Sequence, residues 1–353
     1  VTAKPPRQPT HRFHPFPRYN EDKGGNDADL LKLTACFGER ERVAEGLLVD
    51  SLFDDFDRHG IHTSVLLRGV EGFGLRHHLR TDRLLTLSED LPVIAVALDE
   101  RARIEGALEE LPGRADRGLV TLEPVRSSLE PADGDARLTV YLHRRQRAAG
   151  VPAFVAACDL LRRHGVAGAT ALLGVDGTVE GARRRARFLS VNADVPMTVV
   201  AVGSVESIDG ALPELERLLG SPLTTTEPVR VCKRDGEVLA HPGTGGWQRL
   251  TLYSSESATV GGHAVHHELI RRLRQAGARG ATAVRGIWGY HGDHRSHGDR
   301  LLQLRRRAPI VTVVVDAPDR IAAWFEIADE LTPERGLVTS EPVAIARPQS
   351  VAS

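Results

Sequence analysis

The sequence predicts an α+β protein of three tandem ferredoxin-like (βαββαβ) units, and three observations carry that expectation. A β-rich opening recurs at Leu31-Lys32-Leu33-Thr34, Arg137-Leu138-Thr139-Val140 and Arg249-Leu250-Thr251-Leu252. Glycines then align across the copies: Gly60, Gly165 and Gly277; Gly69, Gly174 and Gly286; Gly72, Gly177 and Gly289. Each copy closes on Glu-Pro-Val, at Glu123-Pro124-Val125, Glu227-Pro228-Val229 and Glu341-Pro342-Val343. The first two copies are offset by 105 residues (138 − 33) and the next two by 112 (250 − 138), with no gap from opening to central glycines.

Within each copy the hydrophobic period switches in a fixed order. The alternating, β-rich opening predicts a strand. A helix follows, with apolar residues at i, i+4 and i+8: Leu48, Leu52 and Phe56, then Ala153, Ala157 and Leu161, then Val265, Leu269 and Leu273. Gly60, Gly165 and Gly277 stand where a helix C-terminus favours a left-handed residue. Second strands are expected over 63–68, 169–173 and 281–285, each ending at a glycine pair. After a polar loop come a third strand (Val93 to Leu98, Ile310 to Val315), a helix carrying Ile104, Leu108 and Leu111 or their counterparts, and a last strand such as Gly118-Leu119-Val120-Thr121. This βαβ–loop–βαβ order leaves one sheet face bare. Three copies on one chain are expected to bury those faces on one another as an intramolecular pseudo-trimer, a monomer in solution.

The expected organisation is a disordered tail at 1–28, repeats at 29–126, 137–230 and 248–347, linkers at 127–136 and 231–247, and a C-terminal tail at 348–353. A length of 353 residues suits two or three domains, and 41% hydrophobic with 26% charged residues is a soluble globular composition. The net charge of −1 gives no global attraction for nucleic acid or an anionic membrane. No apolar run reaches the ~18–20 residues of a membrane span. With no signal pattern at the N-terminus, the cytoplasm is the expected compartment. Cys36, Cys158 and Cys232 are too scattered for a disulfide framework or thiolate metal site and read as small buried hydrophobes.

Copies one and three resemble the DUF190 family, grouped with the PII-like signalling proteins. The matching residues are Leu31-Lys32-Leu33, Arg68-Gly69-Val70-Glu71-Gly72-Phe73-Gly74, Leu87-Ser88-Glu89-Asp90-Leu91-Pro92-Val93 and Gly118-Leu119-Val120-Thr121. In copy three they are Arg285-Gly286-Ile287-Trp288-Gly289-Tyr290, His291-Gly292-Asp293-His294 and Gly298-Asp299-Arg300-Leu301-Leu302. The resemblance implies a bacterial regulatory protein with small-molecule sites in clefts between neighbouring units. The implied ligand is anionic, with an adenine nucleotide as candidate, and the implied partner is a transporter or ion channel. Copy two departs from the pattern. It has Leu173 in place of Arg68, and Asp176-Gly177-Thr178-Val179 in place of Glu71-Gly72-Phe73-Gly74. The three clefts are therefore expected to be unequal.

On this resemblance, the candidate ligand residues are Arg68, Gly69, Glu71, Gly72, Phe73 and Gly74, with Arg285, Gly286, Gly289, Tyr290, His291, His294, His297, Asp299 and Arg300. Glycines let backbone N–H groups approach an anion, and an arginine at the strand end adds a bidentate contact. A second reading takes His291, Asp293, His294, His297 and Asp299 as ligands for Zn²⁺ or another divalent metal, in a metal-buffering protein or hydrolase. A third takes the chain as a structural adaptor without ligand. No nucleophile elbow, His-Glu-x-x-His or Walker lysine motif occurs, so no catalytic residue is assigned and the chain is not expected to be an enzyme.

Overall fold

A computed structural model describes residues 29–44, 46–74, 77–82, 90–110, 118–126, 134–179, 181–185, 195–291, 297–298 and 308–346. Repeat 1 contains β1 (Leu30–Gly38), α1 (Leu48–Arg58), β2 (Thr63–Phe73), β3 (Pro92–Glu100), α2 (Arg101–Glu109) and β4 (Leu119–Val125). Repeat 2 contains β5 (Asp135–His143), α3 (Ala153–Arg163), β6 (Gly168–Val179), β7 (Pro196–Ser204), α4 (Val205–Leu219) and β8 (Thr224–Arg234). Repeat 3 contains β9 (Gln248–Ser255), α5 (Val265–Gln275), β10 (Ala281–Arg285), β11 (Trp288–His291), β12 (Pro309–Asp316), α6 (Pro318–Leu331), β13 (Leu337–Pro342) and β14 (Ala344–Ile345).

The strands alternate as a two-sided sheet requires. Leu31, Leu33, Ala35 and Phe37 pack with Leu48, Leu52 and Phe56 of α1, and equivalent clusters form under the helices of repeats 2 and 3. Past each first helix, Gly60, Gly165 and Gly277 take φ of +63°, +76° and +82°, the left-handed geometry that ends a helix cheaply only at glycine. The opposite strand faces bring Val65, Leu67, Leu172, Val229, Tyr253, Val284 and Val311 of all three repeats into one interior cluster.

The expectation of three tandem ferredoxin-like domains, closed as a pseudo-trimer of separate sheets, is corrected by the strand pairing. The long strands belong to one continuous 18-stranded sheet. Nine of them close an antiparallel β-barrel in the order β2–β6–β7–β5–β8–β13–β9–β12–β10 and back to β2. Strands β3, β1 and β4 extend from β2 outside that ring.

The physical reason is that β2 and β6 do not stop at the glycine pair. They pass through a bulge, which re-aims the strand and carries it onto the next repeat. Beyond its bulge β2 pairs with β10 of repeat 3, and beyond its bulge β6 pairs with β2 of repeat 1. In repeat 3 the strand breaks, and β11 pairs with β6 of repeat 2. Last strands also cross over: β8 pairs first with β5 and then with β13, and β14 pairs with β4. No repeat keeps a sheet of its own.

Candidate ligand cleft

Where the end of β2 lies along β10, a cavity of about 160 Å³ opens between repeats 1 and 3. Phe73, Gly74 and Arg80 line it from repeat 1, and Trp247, Arg279 and Thr282 from the other side. Arg80 lies on the two-residue strand Arg80–Thr81, which folds back to pair with Glu71 and Gly72. Its Nε donates to Asp90 Oδ2 at 2.7 Å, and an Nη lies 3.5 Å from Glu41.

Arg279 lies in the short connection between α5, which ends at Gln275, and β10, which begins two residues after it at Ala281. Its guanidinium carbon sits 5.1 Å from the centroid of the Trp247 ring, a cation–π arrangement. Its Nε is 3.7 Å from Asp316 Oδ1. Asp316 is fully buried and itself accepts from Trp324 Nε1 and from the Ala317 backbone N–H, each at 3.0 Å. Trp247 is tied down by the Val343 N–H, which donates to its carbonyl at 2.8 Å. The cleft thus holds two guanidinium groups from different repeats and an indole face, a set suited to an anionic, partly aromatic molecule.

The repeat offsets put Ala167 and His62 in the place of Arg279, and Asp135 and Leu30 in that of Trp247. The Arg–Trp pair is therefore particular to the junction of repeats 1 and 3.

Of the residues predicted from sequence, Phe73 and Gly74 line this cleft. Arg68 instead pairs with Glu39 at 2.9 Å, and its counterpart Arg285 pairs with Glu256, the residue that matches Glu39. In repeat 2 the same two positions are Leu173 and Arg144, so the pair is lost from both sides. Gly69, Gly72, Gly286 and Gly289 sit in the inter-repeat crossings. A Cβ on Gly72 would come 2.4 Å from the Ala281 carbonyl oxygen, and one on Gly289 would meet that of Ala169 at the same distance. These glycines allow two backbones from different repeats to touch. Glu71 is buried against α5, its Oε1 accepting from His267 Nδ1 at 2.6 Å. Tyr290 is buried in the repeat 2 core, where its hydroxyl donates to the Val166 carbonyl at 3.1 Å, and His291 ends β11 opposite Gly168. Asp293, His294, Asp299 and Arg300 lie outside the described residues, and His297 is described in its backbone alone. Among the described residues, no group of three His, Cys, Asp or Glu side chains is arranged to hold a metal ion.

Sequence reasoning missed Arg80, Trp247 and Arg279. It also missed a second constellation, where strands of all three repeats face one another. Lys32, Arg137 and Arg249, one from each strand opening, meet Glu123, Glu227 and Glu341, one from each Glu-Pro-Val. All six are buried. They alternate in a closed ring: Lys32–Glu227–Arg137–Glu341–Arg249–Glu123 and back to Lys32. Arg137 holds Glu227 with Nη2 at 2.7 Å and Nε at 2.9 Å, and Lys32 reaches Glu123 at 2.8 Å. Burial alone would raise the Glu123 carboxyl, but the Arg249 and Lys32 cations hold it well below the ordinary carboxylate range. Glu227 is lowered in the same way against its burial, by Arg137 and Lys32. The signal was present in sequence as an ionisable residue at an inward position of an otherwise apolar strand, repeated three times.

Among the described residues, no helix is long and apolar enough to cross a membrane. The family model DUF190, described as "Uncharacterized ACR", matches residues 30–127, 135–231 and 247–345. A UPF0166 protein of Aquifex aeolicus (strain VF5) is 29% identical over 96 residues, covering 27% of this chain and 90% of that protein, so the relative matches about one repeat. Three matches spanning most of the chain, on the three units that the barrel interleaves, place this chain in the DUF190 (UPF0166) family, which is PII-like.

Proposed function

We propose that the chain is a regulatory protein of the PII type that takes a small anionic ligand in the cleft between repeats 1 and 3. The observation that carries this reading is the convergence of Arg80 and Arg279, from two repeats, beside the indole of Trp247. A ligand bridging both guanidiniums favours the arrangement in which the end of β2 lies against β10. Differential affinity of that kind is all a two-state regulator needs. Family membership supports the regulatory role, and an adenine nucleotide is the first candidate because it offers both phosphates and a stacking base. A transporter or channel that reads the occupied state is the candidate partner.

The test is calorimetric titration of the full chain with ATP, ADP, AMP and inorganic phosphate. The expected result is saturable binding of at least one of these, weakened at least tenfold by Arg279→Ala and by Trp247→Ala with the fold unchanged by circular dichroism. Binding unaffected by either substitution, or none across the panel, overturns the assignment of this cleft.

A further inference from the structure

Between the facing strands of the three repeats lies a second cavity, of about 130 Å³, on the side of the charge ring that presents the three cations. Lys32, Arg137 and Arg249 line it, together with Thr34, Thr139 and Thr251, which occupy one matched position in the three repeats. Tyr141 and Tyr253 add two phenols. The remaining wall is aliphatic and includes Val65, Leu67, Ile94, Leu172 and Val284. Val96, Val200 and Val313, again one per repeat, point inward yet are only partly buried, which marks free space between the repeats.

The three carboxylates do not line this cavity; each stands behind its cations. The ring is formally neutral, but its positive groups are the ones turned toward the space, with hydroxyl donors beside them. Such fixed dipoles and charges in a water-poor site favour a negative group without reorganising. One donor is unused: Thr251 Oγ1 is buried, in a residue 2% exposed, and has no hydrogen-bond partner among the described residues. A buried hydroxyl left alone is costly, and a bound acceptor removes the cost. At about 10–15 Å³ of free space per water-sized group, the cavity takes on the order of ten heavy atoms.

We propose that this cavity binds one medium-chain aliphatic carboxylate per chain, its head toward Lys32, Arg137, Arg249 and Thr251 and its tail among the valines and leucines. The cavity shares the wall residues Cys36, Leu119, Val313 and Val315 with the repeat 1–3 cleft, but Lys32, Arg137, Arg249 and Thr251 line this cavity alone, and the proposal does not depend on the reading given above.

Titrating the full chain with sodium hexanoate and, separately, 1-hexanol by calorimetry tests it. Hexanoate should bind at one site per chain and at least tenfold more tightly than hexanol. Thr251→Val, which keeps the shape and removes the hydroxyl, should weaken hexanoate several-fold. Val200→Phe, which fills the space, should abolish binding in a chain shown to be folded by circular dichroism. Arg279→Ala, in the cleft, should leave hexanoate binding unchanged. No saturable hexanoate binding, equal affinity for hexanol, three sites per chain, or a loss on Arg279→Ala each overturns the proposal.

Discussion

Replacing Glu227 by Gln would remove one carboxylate from the buried ring with almost no change of shape. In the folded chain Glu227 is shared: Arg137 donates to it through two nitrogens and Lys32 through its ammonium. After the change Arg137 keeps Glu341 and Lys32 keeps Glu123, so neither cation is fully abandoned. Three buried cations would then face two carboxylates. Breaking a buried pair by removing one partner costs about 3–5 kcal/mol, and the surviving partners place Glu227→Gln near the lower end, about 3 kcal/mol. Lys32→Met alone leaves the opposite imbalance and should cost a similar amount. Combined, the two restore neutrality, so the double variant should fall short of the sum of the singles by at least about 1 kcal/mol. Urea unfolding followed by tryptophan fluorescence measures all three. Additive losses, or a loss under about 1 kcal/mol for Glu227→Gln, would refute the idea that the ring acts as one balanced unit.

Three further outcomes follow from the same geometry. Gly72→Ala drives a Cβ to 2.4 Å from a backbone oxygen of repeat 3 and should cost about 2–3 kcal/mol by urea unfolding, whereas Gly74→Ala meets only the end of Arg80 at 3.8 Å and should be near neutral. Acidification should destabilise the chain through Glu123 and Glu227. Their folded carboxyls lie below the ordinary value of 4.5, so their contribution is whole above that pH and is lost as pH falls toward the folded values; unfolding midpoints measured from pH 7 to pH 3 that do not decline below 4.5 would contradict this. Burial pushes the Cys36 thiol up to about 11 and the Cys232 thiol up to about 12, and raises Cys158 as well, so a thiol reagent at pH 8 should modify the native chain at least about a hundredfold more slowly than the urea-unfolded chain.

The elements were legible because their signals are local. The stripe Leu48, Leu52, Phe56 and the glycine that follows it lie within one helix and its cap, and the structure has them there. Strand partnership was not legible, because it is decided by what lies across the gap. Gly69 and Gly72 look in sequence like the end of a strand, since glycine commonly marks a turn. In the fold they are where two backbones come too close for any Cβ, and the strand continues. The cleft was half visible: Phe73 and Gly74 belong to the motif that suggested it. Trp247 and Arg279 come from a linker and a helix–strand junction in another repeat, over 170 residues away in sequence. Arg68, from the same motif, lies outside this cleft, where it pairs with Glu39.

The three crossings show why the order of the repeats is fixed. At one matched position stand Glu71, Asp176 and Trp288, and each meets a different surface. Glu71 meets His267 on α5. Asp176 binds Arg183 at 2.9 Å, and Arg183 in turn reaches Asp54 on α1 at 2.7 Å, with Arg185 on Asp50 at 2.8 Å. Trp288 and Tyr290 pack into the apolar core beneath α3. Exchanging any two crossings would bury a carboxylate where no cation or imidazole waits, or place an indole among charges. A buried, unpaired charge costs several kcal/mol, so each exchange is disfavoured by more than the differences in aliphatic packing could recover. Three identical chains could not divide the work this way, because one residue would have to serve at all three crossings. Carrying the copies on one polypeptide removes that constraint, and it also leaves the cleft between repeats 1 and 3 free to hold an Arg–Trp pair that the other junctions lack.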